Sequence, residues 1–196
     1  ASTIADLRPI ISAKLPVEDP VLWNGRKNPY LYTVRCEIFD STTQEVTDNI
    51  DIRTGLREYH IDSHKGFFLN GEHIKLHGVS RHQDRENMGN AITEKQHAED
   101  VKIILDVGAN SVRLAHYQQN SYFYDLCDES GLLVWAEVPV ISRFSPKRNE
   151  NAEQQLVELI KQNYNHPSIF CWGIENEITI AGSTSKKLIT FLKHMH

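Results

Sequence analysis

The sequence predicts an α/β fold in which four parallel strands alternate with outer helices after a segment of antiparallel strands. Residues before about position 60 alternate apolar and polar side chains, as strands with one buried face do. After residue 74, short apolar runs alternate four times with amphipathic stretches of helical period. No glycine-rich phosphate loop follows these runs, which removes the main support for a nucleotide-binding fold. We therefore expect a parallel sheet covered by helices.

The first segment, residues 1–60, carries the antiparallel pattern. Residues 29–40, PYLYTVRCEIFD, predict a strand with one buried face. Residues 41–46 predict a turn, and residues 47–59 predict a further strand. Beyond them, the pair Asn70-Gly71 lies between two apolar runs and predicts a two-residue hairpin, because both residue types accept left-handed backbone.

The second segment, residues 61–196, contains the strand–helix units. Strands are predicted at residues 74–79, 109–115, 132–138 and 168–175, and helices at residues 93–108, 120–131, 151–165 and 183–196. Thr93 and Gln96 have the spacing of a capping box, and Ser183 or Ser185 is the predicted cap of the last helix. Four consecutive units fit either an open doubly wound sheet or the first half of a (β/α)₈ barrel.

Composition and charge exclude several classes of protein. The net charge of −5 argues against a general surface for nucleic acid or anionic membranes. No apolar run approaches the roughly 18 residues of a membrane span, and no signal peptide precedes the first strand. We therefore expect a cytoplasmic protein. Three widely spaced cysteines, Cys36, Cys127 and Cys171, predict reduced and mostly buried thiols rather than disulfides or a zinc site.

Polar side chains gather after the carboxyl ends of the four predicted parallel strands. In chain order they are Arg81 and His82, Arg113 and His116, Glu137, and Asn176 with Glu177. Because a (β/α)₈ barrel places its active site at this end of its strands, the pattern indicates a catalytic face of that kind.

The motifs at these strand ends resemble those of glycoside hydrolase family 2, the β-galactosidase and β-glucuronidase group. GVSRHQD (78–84) resembles the family's Gly-Val-Asn-Arg-His-Glu segment. NSVRLAHY (110–117) resembles its Arg-x-x-His-Tyr segment. NYNHPSIFCWGIENE (163–177) resembles its Asn-His-Pro-Ser approach to the Trp-x-x-x-Asn-Glu signature.

The resemblance covers essentially the whole chain and implies two domains. VLWNGRKNPYLYTV (21–34) resembles the immunoglobulin-like domain that precedes the family's barrel. Residues 1–60 would then be the C-terminal part of that β-sandwich. Residues 61–196 would be the N-terminal half of a TIM barrel, with about four βα units.

Carried over residue by residue, the resemblance assigns roles at the strand ends. Glu177 matches the general acid/base, and Asn176 matches the residue that hydrogen-bonds the sugar 2-hydroxyl. The other substrate-binding or site-ordering positions are His82, Arg113, His116 and, at the third strand, Glu137. Hydrolysis with retention also needs a nucleophilic carboxylate. The family's nucleophile is a glutamate on a later strand, beyond residue 196, so the isolated chain should not turn over.

Two features of the Asn-Glu pair need a structural explanation. In a regular strand Asn176 and Glu177 would face opposite ways, so the strand is expected to end or bulge between them. Glu175 stands where the family usually has a small residue, and it could be a structural acid or a partner behind the site.

The resemblance also implies the ligands. No cofactor is expected. Some members bind magnesium through a Glu-x-His pair after the third strand, but Ile141 and Arg143 occupy those positions here, and neither suits a hard cation. We therefore predict no metal. The motifs look closest to β-galactosidases, so we expect a β-galactoside substrate, no nucleic-acid or membrane partner, and a homo-oligomeric parent. β-Glucuronidase and β-mannosidase are the alternatives within the family.

Two other classes of protein stay open on sequence grounds. One is a non-catalytic carbohydrate-binding or interaction module, and the other is a complete small α/β enzyme of another type. A lone Asn-Glu pair at a strand end is usually a helix cap or a solvated loop, and Arg113 could simply pair with Asp125 or Glu137. A glutamate on a later strand of a longer reading frame would favour the glycosidase.

Overall fold

The computed structural model describes residues 12–143, 145–178 and 186–196. The N-terminal part of the described chain is built from antiparallel strands. They are β1 (Trp23–Asn24) with β2 (Asn28–Pro29), β3 (Tyr32–Phe39) with β4 (Val46–Thr54), and the three-stranded sheet β5 (Tyr59–Asp62), β6 (Gly66–Leu69) and β7 (Glu72–Ile74). The hairpin predicted at Asn70-Gly71 is confirmed: it joins β6 to β7, and both turn residues have left-handed φ, 50° and 80°.

The β3–β4 hairpin corrects one expectation. Residues 29–40 were predicted to have one buried face, yet Ile38 on β3 is 62% exposed, and Ile50 on the paired strand β4 is 58% exposed. The periodic pattern is present, but within the described residues no second sheet covers this apolar face. Alternation therefore identified the strand correctly without identifying what it packs against.

The second half of the chain forms one parallel sheet with helices between its strands. Its elements, in order, are β8 (Gly78–Arg81), α1 (Glu94–Asp106), β9 (Ser111–Leu114), α2 (Ser121–Ser130), β10 (Leu133–Glu137), α3 (Asn149–Asn163), β11 (Ile169–Gly173) and α4 (Lys186–Met195). Each strand pairs in parallel with the next one along the chain, in the order β8-β9-β10-β11. A doubly wound sheet reverses its strand order at a switch point, whereas a barrel does not. The described sheet has no such reversal and follows the barrel pattern.

The predicted strand at 74–79 is wrong in its bounds. Ile74 ends β7 in the antiparallel sheet, and the parallel strand β8 begins four residues later at Gly78. The Asn110 side chain holds the connection: its Oδ1 accepts from His77 N at 2.8 Å, and its Nδ2 donates to Lys75 O at 2.9 Å. As a consequence, Arg81 lies inside the strand rather than after it.

Capping residues set the helix boundaries, and the capping box predicted at Thr93 and Gln96 is confirmed. Gln96 Oε1 accepts from Thr93 N at 2.9 Å at the start of α1. Asn120 Oδ1 accepts from Tyr122 N at 2.9 Å at the start of α2, and Gly131 ends that helix with φ 73°. The cap predicted for α4, at Ser183 or Ser185, lies outside the described residues.

The three cysteines are free thiols. Cys127 is fully buried and Cys171 partly so, whereas Cys36 is exposed, so the expectation of mostly buried thiols is wrong for Cys36. Burial raises the pKa of the Cys127 thiol, which keeps it protonated and unreactive. No described helix is long and apolar enough to cross a membrane.

A set of side-chain bonds joins the N-terminal part of the chain to α2 and to the segment that leads into β11. Trp23 Nε1 donates to Asp128 O at 2.9 Å, and Thr54 Oγ1 donates to Asn165 O at 2.8 Å. The Arg57 guanidinium donates to the carbonyl oxygens of Pro167 and Ile169. Burial lowers the pKa of Arg57. The N-terminal part of the chain thus helps to position β11, the strand that precedes the predicted catalytic pair.

Replacing Arg57 by methionine is expected to lower the free energy of unfolding by about 1–3 kcal/mol, because it leaves two carbonyl oxygens without a donor. Urea denaturation of the protein measures this change. Arg35→Met is the matched control, since Arg35 forms a solvent-exposed pair with Asp51 and should leave stability nearly unchanged. Equal losses in the two variants would contradict a supporting role for Arg57.

Candidate active site

Four side chains form one hydrogen-bonded cluster near the carboxyl ends of β9, β10 and β11: Arg113, His116, Glu137 and Asn176. Arg113 donates through Nε to Glu137 Oε1 and through Nη2 to Glu137 Oε2 at 3.2 Å. The same Nη2 donates to Asn176 Oδ1 at 2.6 Å. His116 Nδ1 lies 3.0 Å from Glu137 Oε2 and 3.1 Å from Arg113 Nη2. Arg113 therefore joins three strand ends in one hydrogen-bonded cluster.

Glu137 is the anchor of this cluster. It is 1% exposed, and a carboxylate so deeply buried needs a paired charge and filled hydrogen-bond positions. Arg113 supplies the charge. On sequence grounds Arg113 could have paired with Asp125 or Glu137, and the structure selects Glu137, whereas Asp125 lies 3.5 Å from Arg53.

The backbone holds Asn176 as firmly as its side chain does. Asn176 N donates to Val140 O at 2.8 Å, and Asn176 O accepts from Ser142 N at 2.9 Å, which forms an isolated parallel bridge with Ile141. Because Arg113 donates to Oδ1 of the amide, the Nδ2 hydrogens are left for another acceptor, such as a hydroxyl.

The regular backbone ends between Asn176 and Glu177, as predicted. β11 stops at Gly173, the bridge extends the pairing to Asn176, and Glu177 then has φ 57°, in the left-handed region. The Glu177 side chain is exposed, and no group in the described part of the chain donates a hydrogen bond to its carboxylate. A carboxyl group in this state is free to exchange a proton with a ligand.

Two further residues flank the cluster. The His82 ring meets the His116 ring edge to face, with 5.2 Å between centroids, so His82 lies beside the cluster. Glu175 is half-buried, and its Oε2 accepts a long 3.4 Å bond from Ile178 N within its own turn. The structure thus favours Glu175 as a structural acid over a partner behind the site.

A second cluster of polar side chains, centred on Arg81, was not predicted from the sequence. Arg81 was expected after its strand, but its side chain is only 6% exposed and contacts Asp100, His97 and Gln119. These partners lie 16–38 positions away in the chain, and local periodicity carries no information about such contacts.

One group of described residues has donor atoms close enough to hold a metal ion: Asp125, Asp128 and His166. The side chains that would bind the ion already form hydrogen bonds or an ion pair with protein groups. Asp128 accepts from Ser168 N at 3.1 Å and lies 2.6 Å from His166 Nδ1, while Asp125 faces Arg53. We interpret the group as structural support for the turn that precedes β11.

Comparison with known proteins identifies the family. The family model for the TIM barrel domain of glycosyl hydrolases family 2 matches residues 61–196, and a second model of glycosyl hydrolases family 2 matches residues 1–57. The chain belongs to glycosyl hydrolase family 2.

Relatives in family 2 carry more than one activity in their names. A β-glucuronidase from Bacteroides fragilis is 45% identical over 177 residues, which are 86% of this chain and 25% of the relative. A β-galactosidase from Thermoanaerobacter pseudethanolicus is 34% identical over 179 residues, 89% of this chain and 24% of the relative. The chain thus spans about a quarter of the length of these curated relatives.

A solved structure shows the same fold. The crystal structure of a putative β-galactosidase from Bacteroides fragilis has a TM-score of 0.85 and 44% sequence identity. The similarity covers 91% of this chain and 26% of that chain. The arrangement of strands and helices described above is therefore that of a family 2 glycosidase over this region.

Proposed function

We propose that this chain is part of a retaining β-glycosidase in which Glu177 is the general acid/base. The observation that carries the proposal is the contrast between two consecutive residues. Asn176 is immobilised by Arg113, Val140 and Ser142, whereas Glu177 presents an exposed carboxyl group without a hydrogen-bond donor from the described residues. A fixed amide can bind a sugar hydroxyl while the neighbouring acid exchanges a proton.

The proposed reaction has two steps. Glu177 donates its proton to the glycosidic oxygen while a second carboxylate attacks the anomeric carbon, which forms a glycosyl-enzyme ester and releases the alcohol. Glu177 then takes a proton from water as that water cleaves the ester. The family resemblance assigns the second carboxylate to a strand beyond residue 196. Asn176 and the imidazoles of His82 and His116 are proposed to hold the sugar.

The proposed substrate is a terminal β-glycoside, and two sugars have comparable support. Relatives named β-galactosidase support the galactoside expected from the motifs, and relatives named β-glucuronidase support a glucuronide at least as well. The two sugars differ at C6, where a glucuronide needs a hydrogen-bonded or cationic partner for its carboxylate.

Kinetics on paired substrates test the function and the sugar together. The complete protein is assayed on p-nitrophenyl β-D-galactoside and p-nitrophenyl β-D-glucuronide. We expect hydrolysis of one of them with a preference of at least about 100-fold in kcat/KM, because a site built to bond one polar group rejects the analogue that lacks it. Hydrolysis of neither, with β-mannoside also inert, would contradict the proposed function.

We also propose that the β3–β4 hairpin belongs to an immunoglobulin-like sandwich. Its apolar face, which includes the exposed Ile38 and Ile50, has the pattern of an inner sandwich face. The match of residues 1–57 to a family 2 model supports this assignment.

Glu137→Gln is expected to lower kcat/KM by roughly ten- to a hundredfold, the effect of losing a charge-assisted bond. Glutamine keeps the shape of Glu137 but does not neutralise Arg113, so Arg113 would no longer be held against Asn176. Glu153→Gln is the control, since Glu153 is an exposed residue of α3 whose carboxylate pairs with the exposed His194. An active Glu137→Gln variant with unchanged kinetics would show that the ion pair does not support the site.

A further inference from the structure

A buried hydrogen-bonded cluster formed by Arg81 and Gln119 adjoins the two chain segments that carry His82 and His116. We propose that Gln119, clamped by Arg81, is a positioning residue that sets the orientation of His116 and His82 for the sugar. The proposal rests on the proposed function for its catalytic consequence, but the clamp itself is a matter of geometry.

Arg81 is a buried cation whose hydrogen-bonding groups are engaged. Its Nε and Nη2 donate to Asp100 Oδ2 at 2.9 and 2.7 Å, and its guanidinium lies 3.9 Å from the centre of the Phe123 ring. Nη2 also lies 2.9 Å from Nδ1 of the buried His97. Burial, with Arg81 as a further cause, lowers the pKa of His97, so its neutral ring accepts this bond.

Gln119 and Arg81 bind each other at both ends of the Gln119 amide. Arg81 Nη1 donates to Gln119 Oε1, and Gln119 Nε2 donates to the backbone oxygen of Arg81 at 2.9 Å. The same backbone oxygen accepts from Ala115 N at 3.0 Å. Gln119 is 4% exposed, so water does not replace these partners readily.

These bonds hold the chain on both sides of His116. Ala115 and Gln119 are both bound to the backbone oxygen of Arg81, and His116 lies in the short arc between them. Arg81 is also the residue directly before His82. Arg81 therefore holds the backbone and side chain on either side of His116 and directly precedes His82 in the chain. The rings of the two histidines are 5.2 Å apart.

Two further bonds tie the same loops together. Gln83 N donates to the Tyr117 hydroxyl at 3.0 Å, and Asn120 N donates to Gln83 Oε1 at 2.7 Å. The loops that follow β8 and β9 are thus linked on both sides of the clamp. Loss of the Gln119 bonds should let the arc with His116 shift while the rest of the fold stays in place.

The test compares two adjacent glutamines. Gln119→Met keeps the volume of the side chain and removes both bonds. We expect it to lower kcat/KM about 10- to 100-fold in the complete protein, since a misplacement of about 1 Å costs on the order of 100-fold. Gln118→Met is the matched control. Gln118 is exposed and donates only to Gln162, at 2.7 Å, among the described residues, so this variant should stay within about twofold.

Crystal structures of both variants give a readout that does not need catalysis. We expect the His116 ring to move by more than about 0.5 Å in Gln119→Met, the tolerance within which a productive site is held, and to stay in place in Gln118→Met. An unmoved His116 and His82 in Gln119→Met would overturn the proposal, whatever the kinetics.

A thermodynamic cycle separates positioning from general stabilisation. In a His82→Ala/His116→Ala background, Gln119→Met should have less than about a third of its wild-type effect on kcat/KM, because the groups it positions are gone. An undiminished effect in that background would overturn the proposal. If the wild-type protein hydrolyses no β-glycoside, the proposed function fails, and the crystal structures still decide whether Gln119 positions the imidazoles.

Discussion

Glu177→Gln is expected to lower the hydrolysis of an alkyl β-glycoside by about 10²- to 10⁴-fold, the usual contribution of general acid/base catalysis. Glutamine keeps the shape of the side chain and removes its exchangeable proton. An alkoxide is a poor leaving group and depends on that proton. A dinitrophenolate leaves without protonation, so the glycosylation step of a dinitrophenyl β-glycoside should be affected far less.

Single-turnover kinetics on both substrates isolate the glycosylation step. Glu175→Gln is the matched control, because Glu175 is two residues away and bonds the backbone of its own turn. We expect that control to stay within about tenfold of wild type, the loss of one modest hydrogen bond. Equal losses on the alkyl and dinitrophenyl substrates in Glu177→Gln would show that Glu177 has a structural role and is not the proton donor.

The 196-residue chain expressed alone is expected to hydrolyse p-nitrophenyl β-glycosides at least about a hundredfold more slowly than the complete protein, because a retaining mechanism needs two carboxyl groups about 5–5.5 Å apart. Two other carboxylates at the ends of β10 and β11 already have partners. Glu137 is paired with Arg113 and His116, and Glu175 is bonded within its own turn.

The same chain is expected to self-associate. β8 and β11 are the outer strands of the described parallel sheet, and unpaired backbone groups on edge strands bind other edges. Light scattering and an assay at equal molarity beside the complete protein measure both properties. Turnover within a hundredfold of the complete protein would identify Glu137 or Glu175 as the partner of Glu177.

Local sequence patterns were sufficient for most of the fold. The Asn70-Gly71 hairpin, the capping of α1 and α2 and the strand–helix alternation after residue 78 all depend on contacts within a few residues. The break between β7 and β8 after Ile74 was not predicted. It depends on Asn110, whose side chain bonds the connection from 33 and 35 positions away. No periodic pattern in the connection itself reveals such a distant cap.

In the site, too, local patterns identified the residues but not their long-range contacts. Its members were found because each lies at or just beyond the carboxyl end of a strand, and parallel strand ends meet at one face of the sheet. Their pairing was not predictable. Asp125 and Glu137 were both possible partners of Arg113 on sequence grounds. Only the register of β9 against β10 brings Arg113 beside Glu137. The burial of Arg81 and its bonds to Gln119 were not predicted, because hydrophobic periodicity carries no signal for a buried ion pair or a buried amide.

The left-handed backbone at Glu177 has a consequence for how this region can evolve. L-residues other than asparagine and aspartate are disfavoured in that conformation by about 1–2 kcal/mol. The bonds that hold Asn176 to Val140 and Ser142 keep the chain in place against this preference. Selection for stability alone would replace Glu177 by glycine, which adopts this conformation freely. A lineage that retains glutamate here therefore records selection for its chemistry, since the backbone itself favours another residue.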